Sequence, residues 1–220
     1  MPHVVNVNLT ENYLVKKIDR SLAKPFVETW HYTHSIGKVS EAYGLFNETN
    51  LEGVITYGQV SSRDLAQSLF VGGSQYNTWE FLRMAVLDCC ICPRTWFISK
   101  TIKQIKINHP EIKCLVSFAD QTEGHFGYVY QASNWLYTGQ TGKKYHFIVN
   151  GKRINKRMAY DNAKKEGITE KEFVIKYQWE KVVELPKFRY IYPISKDINL
   201  KLSVLAYPKE RNMLDRTSTI

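Results

Sequence analysis

The chain has 220 residues, a formal net charge of +9 and 44% hydrophobic residues. This length suffices for one domain that buries most of its apolar surface without disulfides, and no apolar run reaches the roughly 18 residues of a transmembrane helix. The basic surplus favours a polyanionic partner, nucleic acid before an anionic membrane, and the 14 tyrosines favour a surface that stacks on bases or sugars. The alternative is a solvated basic face without such a partner.

The N-terminus and the cysteines both indicate the cellular compartment in which the protein resides. Residues 1–15 lack the basic stretch followed by an apolar stretch that marks a secretory leader. The four cysteines form neither a C-x-x-C pair nor a two-knuckle zinc pattern, so reduced and mostly buried thiols are expected. They are Cys89, Cys90, Cys92 and Cys114. We therefore expect the protein to remain in the cytoplasm of the cell that makes it.

The N-terminal part is predicted to contain strands, helices and one hairpin. Pro25 is placed in the first turn of a helix, where its missing N–H leaves no hydrogen bond unmade. The predicted elements are a strand at 4–9, helices at 10–21 and 22–30, a hairpin of strands at 42–46 and 53–60, a short helix at 64–70 and a strand at 79–87.

A strongly patterned helix is predicted over residues 96–108. Thr95 is the expected N-cap, and Ile98, Ile102 and Ile105 recur on one face. The loop before this helix leads into a helix N-terminus, which offers unpaired N–H groups and a partial positive charge to a pyrophosphate.

Three side chains near this loop and helix are candidate cofactor ligands. Arg83, Arg94 and Ser99 would add hydrogen-bond donors to such a pyrophosphate site. The alternative for Arg83 is that it only faces solvent.

The central stretch runs from a buried strand at residues 114–118 to a tyrosine-bearing helix that ends near residues 134–135. Asp120 follows the strand, at the position where open α/β sheets bind their ligands. Its carboxylate can act as an acceptor, a base or a metal ligand, and the alternative is that it caps the next helix or a turn. Tyr130 lies on the helix, where a positioned phenol can act as a general acid. The alternative is a core tyrosine with a satisfied hydroxyl, and Tyr128 points in a different direction.

The C-terminal part is predicted to be more antiparallel. Asn150-Gly151 indicates a type I′ hairpin, and Thr169 with Glu172 indicates a capping box. The predicted elements are strands at 136–138, 145–149 and 153–154, a basic helix at 155–166, a helix after Thr169, strands at 182–185 and 187–192 hinged on Pro186, and a frayed tail at 208–220. The order indicates an α/β (α+β) fold in one domain over residues 1–207, with a mixed central sheet flanked by helices.

Two histidines are candidate metal ligands. His31 and His34 lie three residues apart at a predicted helix end, where their imidazoles would share a face. Together with Asp120 or a tyrosine they would suit iron better than a thiolate-preferring metal. By themselves, two such histidines more often lie on the surface without a metal.

The sequence resembles the GNAT acyltransferase fold. That family has a strand, a helix whose N-terminus holds a pyrophosphate, a splayed strand, and a helix with the motif Tyr-x-x-x-Gly-Phe. Residues 130–135 resemble this motif, with Asn134 in the Gly place and Trp135 in the Phe place. The glycine-rich pyrophosphate loop is replaced by residues 88–94, which departs from standard acyl-CoA binding.

The pattern is more similar to the phage Mom DNA-modification family, a divergent GNAT branch. The similarity covers most of residues 30–193, and the strings G-Y-V-Y-Q-A-S-N-W and F-R-Y-I-Y-P are specific. The matching stretches are residues 30–34, 43–45, 53–55, 80–85, 119–120, 127–134 and 188–193.

This resemblance implies an enzyme that converts the exocyclic amino group of adenine in phage DNA to a methylcarbamoyl form, which protects the DNA from host restriction. It implies acetyl-CoA or another acyl or aminoacyl donor, and iron. It places Tyr32, Asp120 and Tyr130 near the active centre and Arg83 and Ser99 on the cofactor side. The setting would be the host cytoplasm. The oligomeric state stays open, with a homodimer among the alternatives.

The expected partner is double-stranded DNA with a flipped adenine, because a base inside a duplex must leave the stack to expose its amino group. Lys152, Arg153, Lys156 and Arg157 lie along one predicted hairpin and helix and are expected to contact phosphates. Ordinary transfer from acetyl-CoA gives an acetyl group, so a nitrogen-carrying donor or a metal is implied. The alternatives are a GNAT-type acyltransferase acting on a small molecule, a protein or an aminoacyl-tRNA-linked substrate, and a non-catalytic DNA-binding protein.

Overall fold

The computed structural model describes residues 9–209 of the protein. The predicted strand at residues 4–9 and the predicted tail at residues 208–220 lie outside this range, except at Leu9, Pro208 and Lys209. In chain order the elements are β1 (Tyr13–Ile18), α1 (Arg20–Trp30), β2 (Glu41–Asn47), β3 (Asn50–Gln59), α2 (Arg63–Leu69), β4 (Thr78–Val86), α3 (Arg94–Asn108), β5 (Cys114–Ala119), a short 3₁₀ helix (Gln121–Glu123), α4 (Tyr128–Ala132), β6 (Leu136–Gln140), β7 (Lys144–Val149), β8 (Lys152–Asn155), α5 (Lys156–Lys165), α6 (Glu170–Lys176), β9 (Glu180–Glu184) and β10 (Phe188–Pro193).

The chain divides into two compact units. The first unit takes in the chain up to Phe118, Gly127–Gly139 and the chain from Arg189 onward, and the second takes in Ala119–Phe126 and Gln140–Phe188. The single domain over residues 1–207 stays a prediction.

The first unit is built on a seven-stranded sheet in the order β1-β2-β3-β4-β5-β10-β6. Strands β1 to β4 pair antiparallel, and β4 pairs with β5 in parallel, so the sheet is mixed. Val54 of β3 packs with Ala23 and Val27 of α1. Tyr57, three residues further and therefore on the other face, contacts Thr101 of α3 through its hydroxyl at 2.7 Å. Helices flank both faces, and the predicted fold class is confirmed.

The predicted helix at residues 10–21 is wrong, because this segment begins with β1. Tyr13 and Val15 are buried while Leu14 between them is exposed, an alternation of the kind that a strand with one buried face shows, and Ile18 at the end of the strand is buried in the cluster that includes Ala23 and Val27. Pairing with β2 runs from Tyr13↔Asn47 to Ile18↔Ala42.

Two details of the predicted helix starts are also wrong. Helix α1 begins at Arg20, so Pro25 lies beyond the first turn, inside the helix. Helix α3 begins at Arg94 with Pro93 as its N-cap, so Thr95 is a residue of the first turn. Pro93 fits this place because its ring fixes φ and it has no N–H to leave unpaired.

The second unit contains an antiparallel sheet in the order β8-β7-β9, with α5 and α6. Its interior includes Phe147 and Phe173, whose rings both contact Trp179. The predicted hairpin is confirmed, with Asn150 and Gly151 at φ values of 50° and 73°, and so is the capping box of α6. The antiparallel C-terminal part is therefore confirmed.

Two further findings concern the helices and the cysteines. None of the helices within residues 9–209 is both long and apolar enough to cross a bilayer. The four cysteines carry free thiols, and Cys89 is the exposed one.

Candidate functional site

The sheet of the first unit opens where β4 and β5 stop pairing. These two strands are in register over three positions, from Thr78↔Cys114 to Glu80↔Val116. Directly beyond this point β4 has a register shift against β3, since Tyr57 pairs with Phe81 and Thr56 with Arg83. Leu82 is the extra residue of this bulge, and a bulge of this kind redirects the side chains beside it.

Ser117 is the first residue of β5 beyond the paired positions. Its Oγ lies 3.1 Å from the carbonyl oxygen of Phe81 and 2.8 Å from the hydroxyl of Tyr130. At the opening of the sheet, Ser117 takes the place of a backbone hydrogen-bond partner for the Phe81 carbonyl. Its hydroxyl also links this carbonyl to the hydroxyl of Tyr130. Sequence patterns alone do not single out Ser117. The available signal was a single hydroxyl in the otherwise apolar strand Leu115–Ala119, because a buried hydroxyl requires a partner.

Helix α4 carries Tyr130 to this opening. Its N-cap, Gly127, has a φ of 77°, a conformation that glycine adopts without strain. A Cβ atom at Gly127 would overlap the ring of Tyr190, so glycine also allows close approach to β10. The helix spans only five residues and ends before Asn134, whose φ is 60°.

The ring of Tyr130 is held by three aromatic neighbours. Its centroid lies 5.6 Å from that of Phe81, 5.2 Å from that of Trp135 and 5.3 Å from that of Tyr190. Gln131 donates through Nε2 to the Tyr190 hydroxyl at 3.0 Å, which fixes β10 against α4. These contacts give the Tyr130 phenol one position.

Burial raises the pKa of the Tyr130 phenol above its ordinary value, and the Ser117 hydrogen bond opposes this rise only in part. The phenol is therefore protonated at neutral pH. A protonated phenol can donate a proton to a leaving group, but it is not a base.

Tyr32, Glu80 and Arg83 are close enough for their charges to act on the Tyr130 hydroxyl. Arg83 donates through Nε to the Ser35 carbonyl at 2.8 Å and through Nη1 to the Leu82 carbonyl. It is half-buried, and the solvent-facing alternative is wrong. The structure brings Tyr32, Tyr130 and Arg83 together, while their roles in catalysis and cofactor binding stay predictions.

Asp120 belongs to the second unit. It caps the short 3₁₀ helix by accepting from the Thr122 N–H at 3.1 Å, and its Oδ2 lies 2.5 Å from Lys187 Nζ. Burial alone would raise the pKa of the Asp120 carboxyl, but the hydrogen bond and the charge of Lys187 and the Thr122 N–H together lower it. The turn-capping alternative is observed, and the catalytic role of Asp120 stays a prediction.

The two histidines do not share a helix face, and that expectation is wrong. Helix α1 ends at Trp30, His31 is extended, and His34 has a φ of 46°. His31 Nδ1 accepts from the Thr33 N–H at 3.1 Å, and His34 Nδ1 lies 2.8 Å from the Glu28 carbonyl oxygen, which can only accept. Within residues 9–209 no three His, Cys, Asp or Glu side chains are grouped to hold a metal ion. These residues do not form a complete iron site, and the iron assignment stays a prediction.

The start of α3 fits an anionic group in one respect. The N–H groups of Trp96 and Phe97 donate to the Pro93 carbonyl, while those of Arg94 and Thr95 have no hydrogen-bond partner among the described residues. Two such N–H groups at the positive end of a 15-residue helix suit a phosphate.

The side chains predicted for the cofactor are already engaged. Arg94 Nη1 donates to the Cys90 carbonyl at 3.3 Å, and the exposed Ser99 donates to the Trp96 carbonyl at 2.8 Å. In the preceding loop, burial raises the pKa of the Cys90 thiol and raises that of Cys92 to about 11. These cysteines are neutral packing groups at physiological pH, and the cofactor assignments stay predictions.

The residues predicted to contact DNA lie in the second unit and are all exposed. Lys152 and Arg153 are neighbours in β8 and point to opposite faces of its sheet. Arg153 pairs with Glu184 at 2.5 Å and Arg157 with Asp161 at 3.6 Å. Lys156 Nζ lies 4.8 Å from the centroid of the Tyr145 ring. The four therefore do not form one uniform cationic face, and DNA contact stays a prediction.

The chain is similar to known proteins in sequence and in fold. Residues 12–209 match the model of the Mom protein family. A methylcarbamoylase named mom from Escherichia phage Mu is 29% identical over 216 residues, covering 89% of this chain and 83% of that protein. A spermidine/spermine N-acetyltransferase from Vibrio cholerae has a similar structure, with a TM-score of 0.46, 8% identity and coverage of 86% of this chain and 96% of that one. A Bacillus subtilis acetyltransferase in complex with CoA has a TM-score of 0.41, 9% identity and coverage of 83% and 97%.

Proposed function

The chain belongs to the Mom protein family, and from that premise we propose that it is a phage transferase that modifies adenine in DNA. The product would be a methylcarbamoyl-type group on the exocyclic amine, which protects phage DNA from host restriction. The observation that carries the proposal is its 29% identity, across 89% of the chain, to a phage methylcarbamoylase. The target base follows from the resemblance of residues 30–193 to the family.

In the proposed reaction the adenine amino nitrogen attacks an activated carbonyl carbon. A nitrogen–carbon bond forms, the bond from that carbon to the leaving atom breaks, the nitrogen loses one proton and the leaving atom gains one. The Tyr130 phenol, which is protonated because burial raises its pKa, is the general acid for the leaving atom. Its aromatic neighbours fix the position of its ring, and with it the position of the phenol oxygen.

The roles of Tyr32 and Asp120 complete the proposal. Tyr32 is 41% exposed and its ring stacks on His31 with the centroids 4.4 Å apart, so it can offer a flat surface to an extruded base. Stacking of this kind recovers part of the cost of flipping. Asp120 is ionised at neutral pH and is assigned, on the resemblance alone, as an acceptor for the adenine amino group.

An acyl or aminoacyl donor would be held at the start of α3. If the donor is acetyl-CoA or a related thioester, the N–H groups of Arg94 and Thr95 would bind its phosphates, and Arg94 and Ser99 would add side-chain donors. A thioester supplies an activated carbonyl carbon and a thiolate leaving group. A methylcarbamoyl-type product also requires a nitrogen that acetyl-CoA lacks, so for this product the carbonyl carbon attacked must belong to an activated carbamoyl donor that already carries a methylamino group, and its leaving atom takes the proton.

The polyanionic partner is proposed to be duplex DNA, which the net charge of +9 favours. In the second unit the exposed Lys152 and Lys156 are not paired with a carboxylate in the described residues, so they are the foremost candidates for phosphate contacts. Arg153 and Arg157 would first have to leave Glu184 and Asp161.

The proposal is tested by expressing the protein in bacteria, digesting the DNA to nucleosides and identifying them by mass spectrometry. We expect a methylcarbamoyl-type adenine nucleoside that is missing from cells with an empty vector. An acetylated small molecule, protein or tRNA with unmodified DNA would instead support a GNAT-type acyltransferase on another substrate. Unmodified DNA and no acylated product, with DNA binding retained, would support a non-catalytic DNA-binding protein.

A further inference from the structure

Ser117 is buried and lies between two oxygen atoms at the opening of the sheet. The residue is 1% exposed, and its Oγ is within hydrogen-bond distance of the Phe81 carbonyl and the Tyr130 hydroxyl, at 3.1 and 2.8 Å. Its neighbours in β5 include the fully buried Leu115 and Val116. A hydroxyl in such surroundings destabilises the fold unless it is hydrogen-bonded.

The hydroxyl of Ser117 has one proton to share between these two oxygens. The Phe81 carbonyl can only accept, whereas the Tyr130 hydroxyl can donate or accept. While Tyr130 keeps its proton, Ser117 can donate to the Phe81 carbonyl and accept from the phenol at 2.8 Å, which orients the phenol until its proton turns to the leaving atom. Once Tyr130 has given its proton away, its oxygen is charged and can only accept.

We infer that Ser117 is a positioning residue for Tyr130, which orients the phenol and turns its own proton from the Phe81 carbonyl to the Tyr130 oxygen when that oxygen becomes a phenolate. This inference rests on the proposed function, in which Tyr130 is the general acid. The driving force is the greater strength of a hydrogen bond to a charged acceptor than to a neutral one. The rotation of a hydroxyl requires no movement of the backbone.

The proton balance of this step is simple. The Tyr130 O–H bond breaks, and its proton goes to the leaving atom of the donor. Ser117 transfers no proton and only changes the oxygen to which it donates. The phenolate regains a proton from solvent or from the amino nitrogen that has lost one, and Ser117 then returns to Phe81.

The surrounding geometry supports the same role. Phe81 offers its carbonyl to Ser117 and the edge of its ring to Tyr130, with an interplanar angle of 88°. The Phe81 carbonyl lies where β4 and β5 no longer pair, so leaving it unpaired carries the desolvation cost of one buried acceptor, which the stronger hydrogen bond to a phenolate offsets. Burial opposes formation of the phenolate and the Ser117 hydrogen bond favours it, so both act on the pKa of Tyr130 in the expected directions.

The test compares Ser117→Ala, Ser117→Thr, Tyr130→Phe and the double variant of Ser117→Ala with Tyr130→Phe. Ser117→Ala should lower kcat for DNA modification by roughly 10- to 100-fold, somewhat below the loss of one oxyanion donor, with little change in KM for either substrate. Ser117→Thr keeps the hydroxyl and should restore most of kcat. In the Tyr130→Phe background, Ser117→Ala should add almost nothing, because the group on which it acts is gone.

A second readout is independent of activity. With tyrosine labelled at ¹³Cζ, the Tyr130 resonance, assigned by its loss in Tyr130→Phe, should shift in Ser117→Ala and return in Ser117→Thr. The Tyr57 resonance serves as the control, since its hydroxyl contacts Thr101 instead.

Three results would overturn the inference while leaving the proposed function in place. They are an unchanged kcat in Ser117→Ala, a loss that follows the melting temperature in both Ser117 variants, and an additive loss in the double variant. If the wild-type protein modifies no DNA, the proposed function fails first and the inference fails with it. If the Tyr130 resonance does not shift in Ser117→Ala, the hydrogen bond between Ser117 and Tyr130 does not form in solution.

Discussion

Gly127 lies against Tyr190, at a position where a Cβ atom would overlap two ring carbons and the hydroxyl oxygen of the tyrosine. The same glycine begins α4 with a positive φ. Position 127 therefore requires glycine for two independent reasons, the positive φ and the lack of space beside Tyr190. This residue begins the helix that carries Tyr130 to the opening between β4 and β5.

This relationship predicts that Gly127→Ala lowers the free energy of unfolding by about 2–4 kcal/mol, of which about 1–2 is backbone strain and the rest is overpacking against Tyr190. The matched control is Gly124→Ala, whose φ of 68° is similar but which has open space around it. Gly124→Ala should lower the free energy of unfolding only by the backbone strain, about 1–2 kcal/mol. Urea unfolding of both variants measures the difference, and equal costs would show that Tyr190 does not press on this position.

The ion pair of Asp120 and Lys187 predicts a pH-dependent contribution to stability. The pKa of Asp120 is lowered in the folded protein, so the contribution is present above the unfolded pKa of about 3.9 and is lost as pH falls through the lower folded value. The stability lost in Asp120→Asn should therefore be constant at neutral pH and should shrink below about pH 4. Unfolding curves from neutral to acid pH measure this change.

Asp161→Asn serves as the control for Asp120, because Asp161 is exposed and pairs with Arg157 at 3.6 Å on the helix surface. It should change stability by less than about 0.5 kcal/mol at every pH. If Asp120→Asn also leaves stability unchanged at neutral pH, the pair with Lys187 does not form in solution.

DNA binding should depend steeply on salt, because Lys and Arg contacts to phosphates release counterions. With about five phosphates neutralised, log K should fall against log salt with a slope of roughly −4 to −5. Replacing Lys152 and Lys156 by Ala should reduce this slope by roughly 2, at about 0.9 for each contact. Fluorescence anisotropy with a duplex at several salt concentrations measures the slope.

Lys164 and Lys165 provide the control for this experiment, since they lie in the last turn of the same helix α5. Their replacement by Ala should leave the slope almost unchanged if contact is confined to β8 and the first turn of α5. If both double variants reduce the slope equally, the attraction to DNA is diffuse and not confined to β8 and the first turn of α5. If the wild-type protein does not bind duplex DNA, the proposal of a nucleic-acid partner is wrong.

The sequence predicted most of the fold because short-range patterns determine most of its elements. The hairpin at Asn150-Gly151 requires positive φ at two adjacent residues, and β5 is a short apolar run whose character is visible without its neighbours. The helix predicted at residues 10–21 was wrong because Lys16 and Lys17 interrupt a pattern that is apolar at Tyr13, Val15 and Ile18. Their strand character depends on pairing with β2, which lies about 30 residues away in the chain.

The candidate site was predictable in its residue types and not in its contacts. Tyr130 was predicted from its place on the helix after β5 and Tyr32 from the family resemblance, and the structure places them within electrostatic reach of each other. The contact between Ser117 and Tyr130 depends on where β4 and β5 cease to pair, which no local pattern encodes. The prediction that His31 and His34 share a helix face was wrong because α1 ends at Trp30, one residue before the first histidine.

The most direct test of the account is the fraction of modified adenine in DNA from cells that express wild-type protein, Tyr130→Phe or Tyr128→Phe at equal levels. Tyr128 is 54% exposed on the same short helix, so its hydroxyl serves as the matched control. Modification should fall by roughly 100-fold or more in Tyr130→Phe, the scale of a positioned proton donor, while stability changes by only about 1–2 kcal/mol. Tyr128→Phe should stay near the wild-type level. Near-normal modification in Tyr130→Phe, measured alongside an unchanged melting temperature, would contradict the assignment of Tyr130 as the general acid.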